Sequence, residues 1–547
     1  MPRIATYLAV PLVLVLAALA RLAQLDVTRL SAASYDEAVY ATTARLFLDG
    51  IVPFRDYFFA HPPVGAFIYS PAMLFDSTAW GGPAAFAAAR QLSLDYGLIS
   101  VVLVFAIGYR LAGLWGATAA SVVWSLDPRV IVSSTRVGLD GPMVMWSFAA
   151  ILAYLVVHSA LAQEASPRRQ VVGFALVGAL AALSALTKAV GVTLLIAIVI
   201  DLAWQRLRPR AWAPRRFLRQ FGSVLLGVGV VSSVALLPFV LAAPGELLRQ
   251  VVFFQLLRPR EAYTLVERFG TLAERPEHWP ILVVAALGLS LLLISTALPG
   301  AIELKRREQD GYQFKRPVMA GWSLVLIWAV INTLVFASTP RVEDHYRLHL
   351  LAALTLIGAG VGLVPLWLES APRLSTLLRR WEVPALVLVL GAVLVQQYPS
   401  WSRGHRASGP TTYGKLSTYV NETVPAEAHL LTLDARVTFL AGREPGKGAT
   451  GYLADPYGHL IYLGLGLEDR GFVDLALGVI RREANIYSRI AEGPSAQADL
   501  LERFAETDVV VVHQNELWRF GAAAETLDEI AAEVAHVGEY LVYTLGP

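Results

Sequence analysis

The sequence contains no cysteine, which excludes disulfide bonds and thiolate metal sites. Charged residues are also scarce, at 16% of the 547 residues, and the formal net charge is only +2. A nearly neutral chain of this kind gives no indication of a nucleic-acid partner. Internal repeats with a period of about 20–50 residues and low-complexity tracts are absent as well. Repeat proteins, disulfide scaffolds and nucleic-acid-binding proteins are therefore poor matches to this composition.

Apolar residues, in contrast, are abundant: 56% of the chain is hydrophobic and its mean hydropathy is +0.53. Runs of roughly 15–22 apolar residues are typical of transmembrane helices. About eleven such runs are present, which predicts an α-helical polytopic membrane protein. The predicted spans lie at residues 4–20, 92–109, 115–132, 142–157, 171–186, 189–203, 221–242, 281–298, 318–336, 348–366 and 383–396.

The distribution of Lys and Arg predicts the orientation of these spans. Basic residues cluster in three loops that this arrangement puts on one side: "QRLRPRAWAPRRFLRQ", "LKRREQDGYQFKRP" and "RLSTLLRRWE". Cytoplasmic loops carry such an excess, so we expect a cytoplasmic N-terminus. The alternative is that the first span is a signal peptide cleaved after residues 18–20, "ALA", which would leave the outer loops in place.

The last 150 or so residues have a different pattern. Segments such as "DVVVVHQNELW" and "GEYLVYTLG" indicate short strands, whereas "SAQADLLERFAE" and "ETLDEIAAEVAHV" indicate amphipathic helices. We therefore predict a transmembrane domain at residues 1–398, with a first outer loop at about 26–91, and a soluble α/β domain at 399–547. An odd number of spans places the second domain outside the cytoplasm.

Polar residues concentrate in the predicted outer loops and at the outer ends of spans. In the first loop, "AVYATTARLFLDG" and "HPPVGAFIYSPAMLF" are typical of helices that lie along the membrane surface. Asp36 alone could simply cap the first of these helices. Clustered ionisable residues at a membrane boundary, however, indicate a functional site. The candidates are Asp36, Glu37, Arg55, Asp56, His61, Arg136, Asp140, Lys188, Arg341, His345 and Tyr346.

The order of these motifs resembles a known family. "YDEAVY" follows the first span, Pro-Pro opens a second interfacial helix, an Arg and then an Asp precede the fourth span, and "HY" opens a late span. This order is similar to that of the GT-C type lipid-phosphosugar glycosyltransferases. Within this type, the chain resembles the protein O-mannosyltransferase and aminoarabinose transferase superfamily, that is, glycosyltransferase families 39 and 83.

The resemblance implies an inverting glycosyltransferase that moves a sugar from a polyprenyl-phosphate donor to a lipid, glycan or protein acceptor outside the cytoplasm. It assigns catalysis to the acidic residue of the first outer loop, here Asp36. Asp140 is a second candidate on its own position, because it opens the span from Pro142 on the same face. The other candidates would bind substrate. Family members often carry Lys before Pro-Pro, whereas this chain has His61, so a phosphate contact there would depend on pH.

Other functions remain as alternatives at this point. An undecaprenyl-linked polysaccharide polymerase or ligase would use a similar donor, and a transporter or a silent lipid-binding protein would also place charges near the membrane. We predict no cofactor and assign no metal ligand, because the sequence has no dense ligand motif, and dependence on a divalent metal stays open. The expected partners are the lipid-linked donor, its acceptor and the bilayer.

Overall fold

The computed structural model describes eleven stretches of the chain. They are residues 2–22, 34–74, 83–161, 166–207, 214–258, 263–297, 317–339, 344–364, 412–441, 452–481 and 493–546. The predicted span at 383–396 and the candidate Arg341 lie outside the described residues, as does the side chain of His345.

Helices dominate the first two-thirds of the chain. Their bounds are α1 Pro2–Leu22, α2 Tyr35–Leu48, α3 Pro63–Phe67, α4 Ser70–Met73, α5 Pro83–Leu126, α6 Pro128–Thr135, α7 Asp140–Leu161, α8 Pro167–Thr187, α9 Val192–Leu207, α10 Pro214–Ala242, α11 Pro244–Leu248, α12 Phe254–Leu257, α13 Leu265–Ala273, α14 Trp279–Ala297, α15 Pro317–Ser338 and α16 Asp344–Gly358. A π-helical turn, Arg249–Phe253, joins α11 to α12, and α16 continues into a 3-10 turn, Ala359–Leu363.

Seven of the described helices are long and apolar enough to cross a membrane: α5, α7, α8, α10, α14, α15 and α16 with its 3-10 turn. Two further apolar helices, Leu12–Leu22 and Ala189–Gln205, are shorter. The chain is therefore an integral membrane protein, as predicted. Each of the first ten predicted spans overlaps with one of these helices, and the total of about eleven stays a prediction.

The second and third predicted spans belong to one long element. The helix α5 is broken at Ala112 and at Gly113, whose φ of 72° lies in the left-handed region that favours glycine. The prediction that the third span reaches residue 132 is wrong, because the helix ends at Leu126. Asp127 then caps a separate helix, α6, by accepting hydrogen bonds from the backbone N–H groups of Arg129 and Val130 at 2.8 and 3.2 Å.

The helices α8 and α10 pack backbone against backbone through small residues. A Cβ on Gly178 would collide with the carbonyl oxygen of Val224, and one on Gly227 would collide with that of Ala175. Close approach of this kind is a common source of helix association in membranes, where lipid competes with side chains for apolar contact. This contact fixes α8, whose C-cap is Lys188.

The first outer loop is folded against the rest of the protein. Most side chains of α2 are buried, and its neighbours include Ala435 and Phe439 from the C-terminal part of the chain. The helix α2 is therefore enclosed by protein, and its place along the membrane surface stays a prediction. The second predicted helix is also divided, into α3 and α4, because Pro71 lacks the backbone N–H needed to continue a helix.

The C-terminal part has the predicted α/β character. Its elements are α17 Thr412–Thr423, β1 Leu430–Thr432, α18 Ala435–Ala441, α19 Pro456–Gly464, α20 Phe472–Arg481, α21 Pro494–Ala505, β2 Val509–His513, α22 Ala523–Ile530, β3 Ala531–Val537 and β4 Tyr540–Leu545. The strands form one sheet in the order β1, β2, β4, β3. The first two are parallel, and β4 pairs with both of its neighbours in antiparallel fashion.

One C-terminal segment differs from its predicted structure. "ETLDEIAAEVAHV" has the spacing of a single helix, but the helix ends at Ile530 and the rest is the edge strand β3. Pairing with the apolar strand β4 overrides the weak helical preference of the second half, because the ladder hydrogen bonds satisfy its backbone.

Candidate active site at the outer ends of the spans

Asp140 and Lys188 form a largely buried ion pair where two spans meet. Asp140 is the first residue of α7, and Lys188 is the C-cap of α8. The Lys188 Nζ lies 2.8 and 2.9 Å from the two carboxylate oxygens of Asp140. On the other side, the Nε2 of His349 in α16 lies 3.1 Å from Oδ1 of Asp140. Three spans therefore meet at one carboxylate.

His61 approaches this ion pair from the first outer loop. Gly65 lets α3 pack closely on α8, because a Cβ there would lie 2.8 Å from the carbonyl oxygen of Thr187. The His61 Nε2 lies 3.1 Å from the hydroxyl of Tyr40. Burial, with smaller effects of Lys188 and Arg258, lowers the pKa of His61 to about 3, so the ring is neutral at physiological pH.

Asp36 lies in the first turn of α2 and is exposed. It faces the same group of side chains, because Tyr40 follows one helical turn later. Burial, and then the carboxylates of Asp36 and Asp140, raise the pKa of Tyr40 well above its ordinary value. The two candidate catalytic carboxylates therefore act on one tyrosine.

Two further side chains complete this cluster, and the sequence did not indicate the first of them. Arg258, just after α12, lies with its Nη1 3.4 Å from the hydroxyl of Tyr346. The Lys188 Nζ lies 5.7 Å from the centre of the Tyr346 ring. We define the outer cluster as Asp36, Tyr40, His61, Asp140, Lys188, Arg258, Tyr346 and His349.

Glu37, predicted to bind substrate, instead has a full set of contacts within the protein. Its Oε1 accepts hydrogen bonds from Arg90 Nε and from the backbone N–H of Val137, both at 3.0 Å. Its Oε2 accepts from Arg90 Nη2 at 3.1 Å and from the N–H of Ser34 at 2.9 Å. The carboxylate therefore fixes α2 to α5 and to the loop that leads into Asp140.

The remaining predicted residues lie at the edge of the site or apart from it. Arg136 is exposed at the end of α6. Arg55 and Asp56 form an exposed pair, with Arg55 Nε 2.7 Å from Asp56 Oδ1, and the hydrogen bond from Arg55 lowers the pKa of Asp56. Arg55 also lies at an apolar cavity of about 760 Å³. The cavity is lined mainly by α10, by α3 and by the loop after α2, including Phe47, Val52, Phe67, Val231, Val234 and Phe239.

The C-terminal part reaches the site through Asp455. Asp455 caps α19 and accepts a hydrogen bond of 2.8 Å from the hydroxyl of Tyr35, the residue before Asp36. The same hydroxyl accepts a hydrogen bond of 3.0 Å from the backbone N–H of Tyr457. Burial raises the pKa of Asp455. Within the described ranges, no three His, Asp or Glu side chains are grouped as metal ligands.

Comparison with known proteins identifies the class of this fold. ArnT from Cupriavidus metallidurans in the apo state superposes with a TM-score of 0.59 at 15% sequence identity, over 98% of this chain and 99% of that one. ArnT bound to undecaprenyl phosphate gives the same values. The archaeal oligosaccharyltransferase AglB from Archaeoglobus fulgidus, in complex with an inhibitory peptide and a dolichol-phosphate, has a TM-score of 0.56 at 14% identity, over 98% and 74% of the two chains. The chain therefore has a GT-C-like fold.

The sequence comparison agrees with the fold. The family model of dolichyl-phosphate-mannose-protein mannosyltransferases matches residues 11–245, which contain Asp36, His61, Asp140 and Lys188. No curated protein matches the chain. The predicted resemblance to GT-C type lipid-phosphosugar glycosyltransferases is confirmed.

Proposed function

We propose that this protein transfers a sugar from a polyprenyl-phosphate-linked donor to a lipid, glycan or protein acceptor outside the cytoplasm, with inversion at the anomeric carbon. One observation carries the proposal: an exposed carboxylate, Asp36, acts on Tyr40, and Tyr40 contacts His61, on which the cations Lys188 and Arg258 act. A donor whose lipid lies in the bilayer presents its phosphate at the membrane surface, level with the ends of the spans. The fold and the family match support the same class of reaction.

Lys188 and Arg258 are the cations that would hold the donor phosphate. Both act on His61, and both contact Tyr346. A unit charge about 4 Å from another interacts by roughly 4 kcal/mol at an effective dielectric constant of about 20. Two such contacts would stabilise the negative charge that builds up as the phosphate leaves. Arg136 and Arg341 are further cations for the same role.

Asp36 suits the role of general base better than Asp140. Both oxygens of Asp140 are already engaged by the Lys188 ammonium, and His349 lies beside one of them. Asp140 would therefore orient Lys188 towards the phosphate. Asp36 is exposed to an incoming acceptor and is held at a fixed height by α2.

The reaction would be a single displacement. Asp36 takes the proton from the acceptor hydroxyl or amine, whose lone pair attacks the anomeric carbon on the face opposite the phosphate. The bond from this carbon to the phosphate oxygen breaks, and the polyprenyl phosphate leaves with the electron pair. Inversion follows from attack on the opposite face. The phosphate is a good leaving group, so one base and the cations suffice.

His61 would contribute a hydrogen bond to the donor rather than a positive charge. Its pKa of about 3 keeps the ring neutral, and its Nε2 is within reach of the Tyr40 hydroxyl. This replaces the pH-dependent phosphate contact expected from the sequence. Glu37 would act as a positioning residue, through the loop at Val137.

The apolar cavity beside α10 would take the first part of the prenyl chain. Its lining is almost entirely apolar, and its volume of about 760 Å³ suits several isoprene units. Arg55 at its edge would then lie near the lipid headgroups. AglB and ArnT are described with dolichol-phosphate and undecaprenyl phosphate, which are donors of this chemical type without the sugar.

The proposal requires the outer cluster and the C-terminal domain to be on the same side of the membrane. We propose a cytoplasmic N-terminus, a transmembrane domain at residues 1–398 and an extracytoplasmic domain at 399–547. The contact of Tyr35 with Asp455 supports this arrangement, because it joins the first outer loop to the C-terminal part. Reporter fusions after Gln220 and after Ser402 should give opposite sidedness, and like signals would contradict the topology.

Sugar transfer can be tested with purified protein, membrane extract and a panel of radiolabelled polyprenyl-phosphate sugars. At saturating donor and acceptor, Asp36→Asn should lower turnover by about 10²- to 10⁴-fold, as expected for loss of a general base, and leave donor binding intact. Asp140→Asn is the matched variant and should weaken donor binding more and turnover less. Near-normal turnover of Asp36→Asn would refute its role, and a collapse confined to Asp140→Asn would transfer the role to Asp140.

A further inference from the structure

The helical segment that follows α10 has one apolar face without a protein partner among the described residues. From Pro244 to Leu257, α11, the π-helical turn and α12 run on as one segment. Leu248, Val252 and Leu256 are exposed at 48%, 41% and 45%. Their spacing of four residues places them on the same face.

The opposite face of this segment is fixed to the first outer loop. The backbone N–H of Phe59 donates to Gln250 Oε1 at 3.0 Å, and Gln255 Nε2 donates to the carbonyl of Ala60 at 2.8 Å. The rings of Phe58 and Phe254 pack edge to face with centroids 5.0 Å apart. The segment is therefore held in one rotation, with its apolar stripe turned outward.

The helix α20 of the C-terminal part adds a second exposed apolar face beside the first. Phe472, Val473 and Leu477 are exposed at 43%, 73% and 38%, whereas Leu475 is fully buried and fixes the helix to the core. The two faces meet where the Arg249 guanidinium lies 5.3 Å from the centre of the Phe472 ring. The ring of Phe253 is 6.0 Å from the same ring.

We propose that these two faces form a single membrane-contacting patch, through which the C-terminal domain rests on the lipids of the outer leaflet. We define the lipid-contact patch as Leu248, Val252, Leu256, Phe472, Val473 and Leu477. The observation that selects lipid as the occupant is continuity with a membrane span. Only Ala243 separates the segment from α10, whose last turns expose Val234, Leu237 and Leu241 at 76%, 54% and 76%.

An apolar helix face next to the end of a span avoids water by entering the membrane interface. Amphipathic helices that lie at a bilayer surface bury their apolar side chains among the headgroups and first methylenes. A patch of this kind in water would be a liability for a folded protein. It would also fix the distance between Asp455 and the membrane, independently of whether the chain transfers a sugar.

The absence of native cysteine allows a clean test. Val473→Cys and Val252→Cys, each labelled with an environment-sensitive fluorophore, would be reconstituted into nanodiscs with and without lipids that carry a nitroxide on the acyl chain. Leu501→Cys is the control, because Leu501 is 42% exposed on α21 outside the patch. Both patch labels should be quenched at least threefold more strongly than the control and should emit at shorter wavelength.

Quenching at residue 473 equal to that at residue 501 would overturn the proposal. Quenching at residue 252 alone would also overturn it, because only the segment and not α20 would then touch lipid. If the patch bound a second copy of the chain instead, the emission of the Val473→Cys label would change on mixing with unlabelled protein, with no nitroxide effect. Val473 is the most exposed residue of the patch, so its replacement should not impair folding.

Discussion

The buried pair of Glu37 and Arg90 allows the sharpest prediction about stability. The two side chains are exposed by only 1% and 3%, and four hydrogen bonds converge on the Glu37 carboxylate. Glu37→Gln keeps the shape but leaves the Arg90 guanidinium buried beside a neutral amide. Its NH₂ group would also face a donor, whichever way the amide turns.

Removing one partner of a buried ion pair typically costs about 3–5 kcal/mol, because the other charge stays buried without compensation. Arg45→Met on the same helix provides a matched control. Arg45 Nε lies 3.1 Å from Asp49 Oδ2, but these side chains are 19% and 31% exposed. A surface pair of this kind is worth about 0.2–1 kcal/mol.

Thermal unfolding in detergent, followed by the fraction of protein that keeps its size-exclusion volume, would rank the variants. We expect Glu37→Gln to lose its native volume at a clearly lower temperature than Arg45→Met. The double variant Glu37→Gln with Arg90→Met should be less destabilised than the sum of the single changes, because it removes the stranded charge. Equal midpoints for Glu37→Gln and Arg45→Met would refute the argument from burial.

Three further predictions concern packing, pH and the link to the C-terminal part. Gly227→Ala should reduce the yield of folded protein, because its Cβ would collide with a backbone carbonyl of α8. The control Gly229→Ala should express normally, because a Cβ there meets nothing within 4 Å. Equal yields of the two variants would contradict this prediction. The pKa of His61 is lowered to about 3 in the folded protein. Below pH ~6.5 the unfolded chain therefore binds a proton at this residue that the folded chain does not bind. The free energy of unfolding should fall from pH ~6.5 towards 3. His61→Gln should flatten that fall in a pH series of unfolding midpoints, and an unchanged slope would contradict it. Tyr35→Phe, which removes the hydrogen bond to Asp455, should raise the acceptor KM and leave donor affinity unchanged, and a loss of donor affinity instead would contradict it.

The sequence predicted the membrane class and part of the outer cluster. Apolar runs identified the spans, and span parity placed Asp140 and Lys188 on one face, where the structure pairs them at 2.8 Å. The same reasoning could also have predicted Tyr40 and His349 as residues of the outer cluster. Tyr40 is one helical turn after Asp36, and His349 is three residues after Tyr346, so each shares a helix face with a predicted residue.

Arg258 and Asp455 were out of reach of sequence reasoning for a physical reason. Neither belongs to a span or a motif, and their positions depend on how distant segments pack. Arg258 is positioned by the packing of α12 on Phe58. Asp455 is positioned by its role as the cap of α19 and by its hydrogen bond with Tyr35, which is 420 positions away in the sequence. Conversely, Glu37 looked like a ligand because local spacing cannot reveal a buried partner 53 positions away.

The residues on the spans and those on the first outer loop therefore differ in how they are held in place. Lys188 and His349 are buried on the spans and both contact Asp140, so the geometry of these three groups is fixed before any substrate arrives. Asp36 lies instead on a helix that is held from two sides, by Glu37 towards the membrane domain and by Tyr35 towards the C-terminal part. A displacement of the C-terminal part would therefore reach the proposed base through the hydrogen bonds of Tyr35 and through the packing of Ala435 and Phe439 on α2, whereas the pair of Asp140 and Lys188 is held by the spans alone. In the proposed reaction, acceptor docking would act on Asp36, and Lys188, held by the spans, would act on the donor.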